Sequence, residues 1–128
     1  MPTSLAQKLQ IKSGKLIVIN APKGYVEQLT KELNDLTVST RATGQAEAVL
    51  LFVNSLAEAT ERTPKAGQLV RLGGMLWIAY AKGTSKMKTD VNRDKLWAAV
   101  QPFGWQAVRQ IALDDVWSAL RFKPVETN

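Results

Sequence analysis

Three short apolar runs, separated by stretches of helical period, constrain this chain more than any other feature. Leu16-Ile17-Val18-Ile19 is β-branched and lies between Gly14 and Asn20, Ala48 to Val53 is continuously apolar, and Met75-Leu76-Trp77-Ile78-Ala79-Tyr80 is apolar throughout. Runs of this length that do not alternate suit strands covered on both faces. After the first run, Tyr25, Val26, Leu29, Leu33 and Leu36 recur at helical spacing, with Glu27, Gln28, Lys31 and Glu32 turned outward. After the second, Ser55 opens a capping box with Glu58. Strands alternating with helices imply βαβ units and a mostly parallel sheet between helical layers.

The remaining segments fill in that plan. Thr37-Val38-Ser39-Thr40 reads as a weak strand and Thr43-Gly44-Gln45 as a loop. The helix from Ser55 is expected to end near Arg62, and Pro64 to start a second one carrying Leu69, Val70 and Leu72, stopped by Gly73-Gly74. Asn92 is placed to cap the next helix, with Val91 and Leu96 as its hydrophobic staple. Leu96, Trp97, Val100 and Phe103 form its expected buried stripe, and Trp77, Trp105 and Trp117 are assigned to packing. Trp105–Leu113 and Val116–Phe122 read as an antiparallel hairpin turning at Asp114-Asp115. The expected fold is therefore α/β, a three-layer Rossmann-like arrangement with a mostly parallel sheet and a C-terminal antiparallel hairpin. Residues 1–13 read as an N-terminal arm, 14–123 as a single domain and 124–128 as a disordered tail.

Composition excludes several chemistries. The chain has 128 residues, no cysteine and no histidine. Disulfides, Cys/His zinc sites and Ser-His or Cys-His nucleophiles are therefore ruled out. A general base has to be Asp, Glu, Lys or Tyr. No metal site is expected. Met1 to Lys15 holds no apolar core of signal-peptide length, and the longest apolar runs are too short to span a bilayer. A soluble cytoplasmic protein with no membrane partner is the resulting expectation.

The net charge is +6, and Lys82, Lys86, Lys88, Arg93 and Lys95 crowd into one short segment opposed by Asp90 and Asp94. In an open parallel sheet the ligand crevice lies beyond the carboxyl ends of the strands. Asn20–Gly24, Asn54-Ser55 and Lys82–Asn92 leave those ends. Lys82-Gly83-Thr84-Ser85-Lys86 has the parts of an anion cradle: a glycine that permits inward N–H groups, two hydroxyls and flanking cations. Lys82, Gly83, Thr84, Ser85, Lys86, Lys88, Asn92, Arg93, Asn20 and Asn54 are accordingly the candidate ligand-binding residues. Asn92, Arg93 and Asp94 also have a purely structural reading, as cap, ion pair and dipole partner.

Two resemblances rest on these motifs. Leu72-Gly73-Gly74 followed by Met75–Tyr80 resembles the leucine–glycine–glycine turn before the fifth strand of class I methyltransferases. Leu76-Trp77-Ile78-Ala79-Tyr80, Lys82-Gly83-Thr84-Ser85, Thr89-Asp90-Val91-Asn92-Arg93-Asp94, Leu96-Trp97 and Asp114–Phe122 are similar to the signature of a small bacterial domain-of-unknown-function family, over roughly residues 15–123. The resemblance implies a truncated methyltransferase-like fold and assigns no activity. Methyltransferases of this class hold S-adenosylmethionine on a glycine-rich turn after the first strand and its ribose on an acid after the second. Here those positions read Asn20-Ala21-Pro22-Lys23-Gly24 and Val38-Ser39-Thr40-Arg41. On that ground no cofactor is expected.

The resulting expectation of function is a non-catalytic binding or regulatory module for a phosphate-bearing or other anionic ligand. One alternative is a divergent methyltransferase-like transferase with Lys82, Asp90 or Tyr80 in acid/base roles. Another is a nucleic-acid-associated basic protein, which requires one continuous stripe of basic residues with exposed aromatics, joined by Lys8, Lys12 and Lys15 of the N-terminal arm. A homo-oligomer joined through an open sheet edge is a further expectation.

Overall fold

The computed structural model describes residues 14–21, 24–32, 36–40, 44–81, 91–113 and 117–124. Its sheet has six strands: β1 (Gly14–Ile19), β2 (Leu36–Ser39), β3 (Ala46–Phe52), β4 (Val70–Ala81), β5 (Trp105–Ala112) and β6 (Trp117–Pro124), in the order β2-β1-β3-β4-β6-β5. The first four are mutually parallel, while β6 runs antiparallel between β4 and β5. The helices are α1 (Tyr25–Glu32), α2 (Leu56–Gln68) and α3 (Arg93–Val100), the last continued by a single 3₁₀ turn over Gln101–Phe103. The expected mostly parallel sheet with an antiparallel C-terminal pair is what forms.

Strand β3 shows why the apolar runs had to be strands. Ala48, Leu50 and Phe52 bury against one layer, Val49, Leu51 and Val53 against the other, and all six are 0% exposed. Period-two alternation puts every second side chain on the same face, so only a doubly covered strand accepts six apolar residues in a row. Tyr25 of α1 joins the first face. Ala59 and Ala66 of α2 and Leu96 and Val100 of α3 join the second. Handedness accounts for that division. The chain steps from β1 outward to β2 in one direction and from β3 to β4 in the other, so right-handed crossovers place their helices on opposite faces. On the first face the Phe52 ring meets Tyr25 and Trp117 edge-on, with centroids 5.0 and 5.1 Å away.

Three local expectations are corrected. Leu36 does not close the first helix; it opens β2, paired with Gly14 of β1. Its helical spacing is outweighed by the parallel ladder of β2 on β1, whose middle residues are buried. The second helix does not break near Arg62; it runs from Leu56 to Gln68 with Pro64 inside it. Proline removes one helical bond, and the loss is tolerated because Thr63 and Ala66 on either side are fully buried. Gly73-Gly74 does not stop a helix; both lie within β4. There β4 slips against β3: Ala46 pairs Val70, yet Ala48 pairs Met75. A Cβ on Gly74 would lie 2.6 Å from the Glu47 carbonyl oxygen, so glycine is required by the close approach of two backbones. At this end of β3 the exposed Glu47 and Arg71 side chains form an ion pair.

The expected stripe on α3 is half right. Leu96 and Val100 are buried, but Trp97 and Phe103 are 41% and 42% exposed. Trp77, Trp105 and Trp117 pack as expected. The arm at 1–13, the turn at Asp114-Asp115 and residues 125–128 lie outside the described residues. Among the described residues no helix is long and apolar enough to cross a membrane.

Candidate functional site

Because β1, β3 and β4 are parallel, their carboxyl ends, Ile19, Phe52 and Ala81, share one edge of the sheet. β1 is flanked by β2 on one side and β3 on the other, so the chain reverses its direction of travel across the sheet at β1. Connections leaving β1 and β3 diverge to opposite faces and open a crevice between them.

Asn20 and Asn54 stand at that crevice. Asn20 has φ of 62°, a left-handed conformation that asparagine tolerates better than other side-chain-bearing residues. Its Nδ2 donates to the Phe52 carbonyl at 2.9 Å and approaches Glu58 Oε1 at 3.4 Å. The Asn54 backbone N–H donates to the same Glu58 oxygen at 2.7 Å. Glu58 Oε2 faces Arg62 Nε at 4.0 Å. The ends of β1 and β3 are thus tied together through one carboxylate.

Local sequence explains how Glu58 reaches that position. Ser55 is extended and its Oγ accepts from the Glu58 N–H at 3.1 Å, which caps α2. The third residue of the helix then points back over the N-terminus, as in a capping box. Its carboxylate takes the N–H of Asn54, one residue before the cap. Sequence reading found Glu58 as a capping partner and missed that it also joins Asn20 to Asn54. The capping box was the only local signal, since the Asn20 contact spans 38 positions.

Asn92 and Arg93 begin α3. Asn92 Oδ1 accepts from the Lys95 N–H at 2.9 Å, and Val91 and Leu96 are both buried, so the cap and staple form. Arg93 Nε meets Asp94 Oδ1 at 3.3 Å, with both side chains largely in water. Such an exposed pair contributes little to stability. Asp94 is thus the ion-pair partner of Arg93 as well as an acid in the first turn of α3; Asp90 and Asp114 lie outside the described residues. So do Lys82, Gly83, Thr84, Ser85, Lys86 and Lys88. The structure therefore joins Asn20 to Asn54 at the crevice and sets Asn92 and Arg93 at the head of α3.

Tyr80, near the end of β4, is 4% exposed. Its hydroxyl accepts from Gln110 Nε2 at 2.7 Å. Burial pushes the phenol above its ordinary range; the nearby Arg93 opposes that rise and Asp94 adds to it. At neutral pH Tyr80 is thus a neutral phenol, unable to act as a base. Among the described residues no group of three or more carboxylates gathers as a metal site.

No protein-family model matches the chain, and no curated protein matches it in sequence. Solved structures match it in fold. The ribosomal protein L11 methylase of Lactobacillus delbrueckii subsp. bulgaricus aligns with a TM-score of 0.58 at 6% identity, over 94% of this chain and 74% of that one. The 1,6-didemethyltoxoflavin-N1-methyltransferase of Burkholderia thailandensis, holding S-adenosylhomocysteine, aligns at 0.60 and 7% identity over 95% and 75%. The magnesium protoporphyrin IX methyltransferase of Synechocystis, also with bound S-adenosylhomocysteine, aligns at 0.52 and 12% identity, over 77% of this chain and 57% of that one. The chain has the methyltransferase-like Rossmann fold that the resemblance implied, although Gly73-Gly74 lie within β4 and not in a turn before it. The expected function is corrected at the same time. A non-catalytic module for an anionic ligand has no counterpart among these structures, which are methyltransferases; the transferase alternative fits them better.

Proposed function

We propose that this chain is a divergent methyltransferase-like transferase, working at the carboxyl ends of β1 and β3. The observation that supports this most directly is the left-handed backbone of Asn20 immediately after β1, at the point where the strand order reverses. A glycine-rich turn serves a cofactor by allowing positive φ and close approach to the backbone. Asn20 and Gly24 supply the first property, with φ of 62° and 82°. Positive φ at Asn20 and Gly24, the described residues at either end of that segment, supports the reading with fewer glycines than its sequence pattern suggested. The acid that touches the turn is Glu58 from α2, whereas the second strand ends in Ser39-Thr40.

S-adenosylmethionine, the donor fitting this turn, would supply an electrophilic methyl group. The chain's own contribution is positional. Glu58 fixes Asn20 and Asn54 relative to each other, and Asn20 locks the turn to the Phe52 carbonyl. Holding two reactants in line is a large part of what such a site contributes to rate.

Calorimetric and thermal-shift titration of the full chain with S-adenosylmethionine and S-adenosylhomocysteine tests the reading. A bound donor raises stability by about 2.7 kcal/mol at a hundredfold excess over its Kd. Asn20→Gly, which keeps the backbone conformation, retains the response, and Asn20→Val, which cannot hold it, loses the response in a chain still folded by circular dichroism. No response to either compound ends the proposal.

A further inference from the structure

Between α3 and β5 the described chain leaves apolar surface in water. Trp97, Phe103 and Val108 are 41%, 42% and 43% exposed, whereas Trp77, Trp105 and Trp117 are all below a tenth exposed. Trp97 and Val108 line one open groove of about 280 Å³ together with Arg93, Asp94, Arg109 and Gln110. Arg93 and Trp97 are four residues apart on α3, so the guanidinium and the indole share one side of the helix. β5 is an outermost strand, paired with β6 alone among the described strands. The groove is braced where Gln110 Nε2 donates to the Tyr80 hydroxyl at 2.7 Å.

Charge decides what such a groove fits. Asp94 offsets one of its two arginines, leaving a net positive lining, and the whole chain carries +6 with a pI of 9.8. A second copy of the chain would set like charges against one another, which favours a polyanion over self-association. Among polyanions, an exposed indole beside guanidinium groups selects one with flat rings, because bases stack on aromatic faces while phosphates meet the cations. The exposed aromatic that a nucleic-acid partner requires is thus present in the groove at Trp97, while Phe103 lines a separate surface pocket.

We propose that the α3–β5 groove binds a single-stranded nucleic acid, one base stacking on Trp97 with the flanking phosphates at Arg93 and Arg109. This site is separate from the β1–β3 crevice, and its occupancy does not depend on a methyl donor.

Tryptophan fluorescence of the full chain, titrated with short oligouridylate, oligothymidylate and heparin, tests it. Trp97 is the most exposed of the four tryptophans, so stacking there quenches emission. The expected result is quenching by both oligonucleotides, with affinity falling as salt rises. Trp97→Ala weakens binding about tenfold to a hundredfold, Trp97→Phe keeps most of it, and Arg93→Gln lowers the logarithmic salt slope by about one. A preference for the RNA or the DNA oligomer identifies the source of the strand. Three outcomes overturn the proposal: oligonucleotide binding unchanged in Trp97→Ala, heparin as effective as the oligonucleotides in both proteins, or a dimer in sedimentation that Trp97→Ala dissolves.

Discussion

The crevice end of β1 and β3 and the flank between α3 and β5 handle their polar and apolar groups in opposite ways. At the crevice, Asn20, Asn54 and Glu58 are joined to one another and to the Phe52 carbonyl, directly above a fully buried phenylalanine. Along the flank, an indole, a phenyl ring and a valine stand in water beside an exposed ion pair and an open strand edge. Groups that fold the chain are satisfied inside the molecule. Groups left outside contribute little to folding and stay accessible to a partner. The contrast predicts that substitutions at the crevice lower stability, while those on the flank change binding and leave stability alone.

The largest expected effect is Phe52→Ala, which empties the space between Tyr25 and Trp117 and lowers unfolding free energy by about 3–5 kcal/mol in urea denaturation. A loss below that of a surface substitution would mean the crevice does not rest on the core beneath it. Next comes Asn20→Ala, which forfeits the bond to the Phe52 carbonyl and forces a Cβ-bearing residue without a compensating side chain into φ of 62°. Together these cost about 2–3 kcal/mol. Asn20→Gly keeps the backbone and costs about 1 kcal/mol, so equal losses in the two variants would break the argument that conformation matters here. Ser55→Ala removes the cap of α2 and costs about 1 kcal/mol; its chemical-shift changes should reach Asn20 through Glu58.

On the flank, Trp97→Ala should move stability by no more than about 0.5 kcal/mol. A larger drop in urea midpoint would show that the ring belongs to the core after all. The smallest effect lies away from both regions. The hydrogen bond and charge of Arg71 hold the Glu47 carboxyl below its ordinary range, on a solvent-accessible pair. A depressed folded value means the contribution is present above the unfolded carboxylate range, near pH 4, and is lost as pH falls through the lowered folded value. Arg71→Gln should therefore lower stability slightly at neutral pH, with the difference from the parent chain vanishing as the carboxylate protonates; a difference that persists at low pH would contradict the assignment.

Legibility in the sequence followed the range of the interactions involved. The Ser55–Glu58 box and the Asn92 cap with its Val91–Leu96 staple were readable because each is closed within a few residues. The doubly buried β3 was readable because six consecutive apolar residues admit few other uses. Trp97 was misread because helical spacing marks a side of a helix without saying whether anything covers it. The role of Glu58 was hidden because Asn20 lies far away in sequence. The conformation after β1 was hidden because a glycine count stands in for positive φ, which Asn20 also adopts.

The sequence by itself determined the kinds and order of most elements, the two-sided burial of the central strands and the exclusion of thiol and imidazole chemistry. Those follow from side-chain chemistry and from periodicity, which act locally. Tertiary structure decided the insertion of β6 between β4 and β5, the slip of β4 at Gly74, the continuous helix through Pro64 and the meeting of Asn20 with Glu58. Each depends on which distant backbone or side chain comes to lie alongside, and packing of the whole sheet sets that.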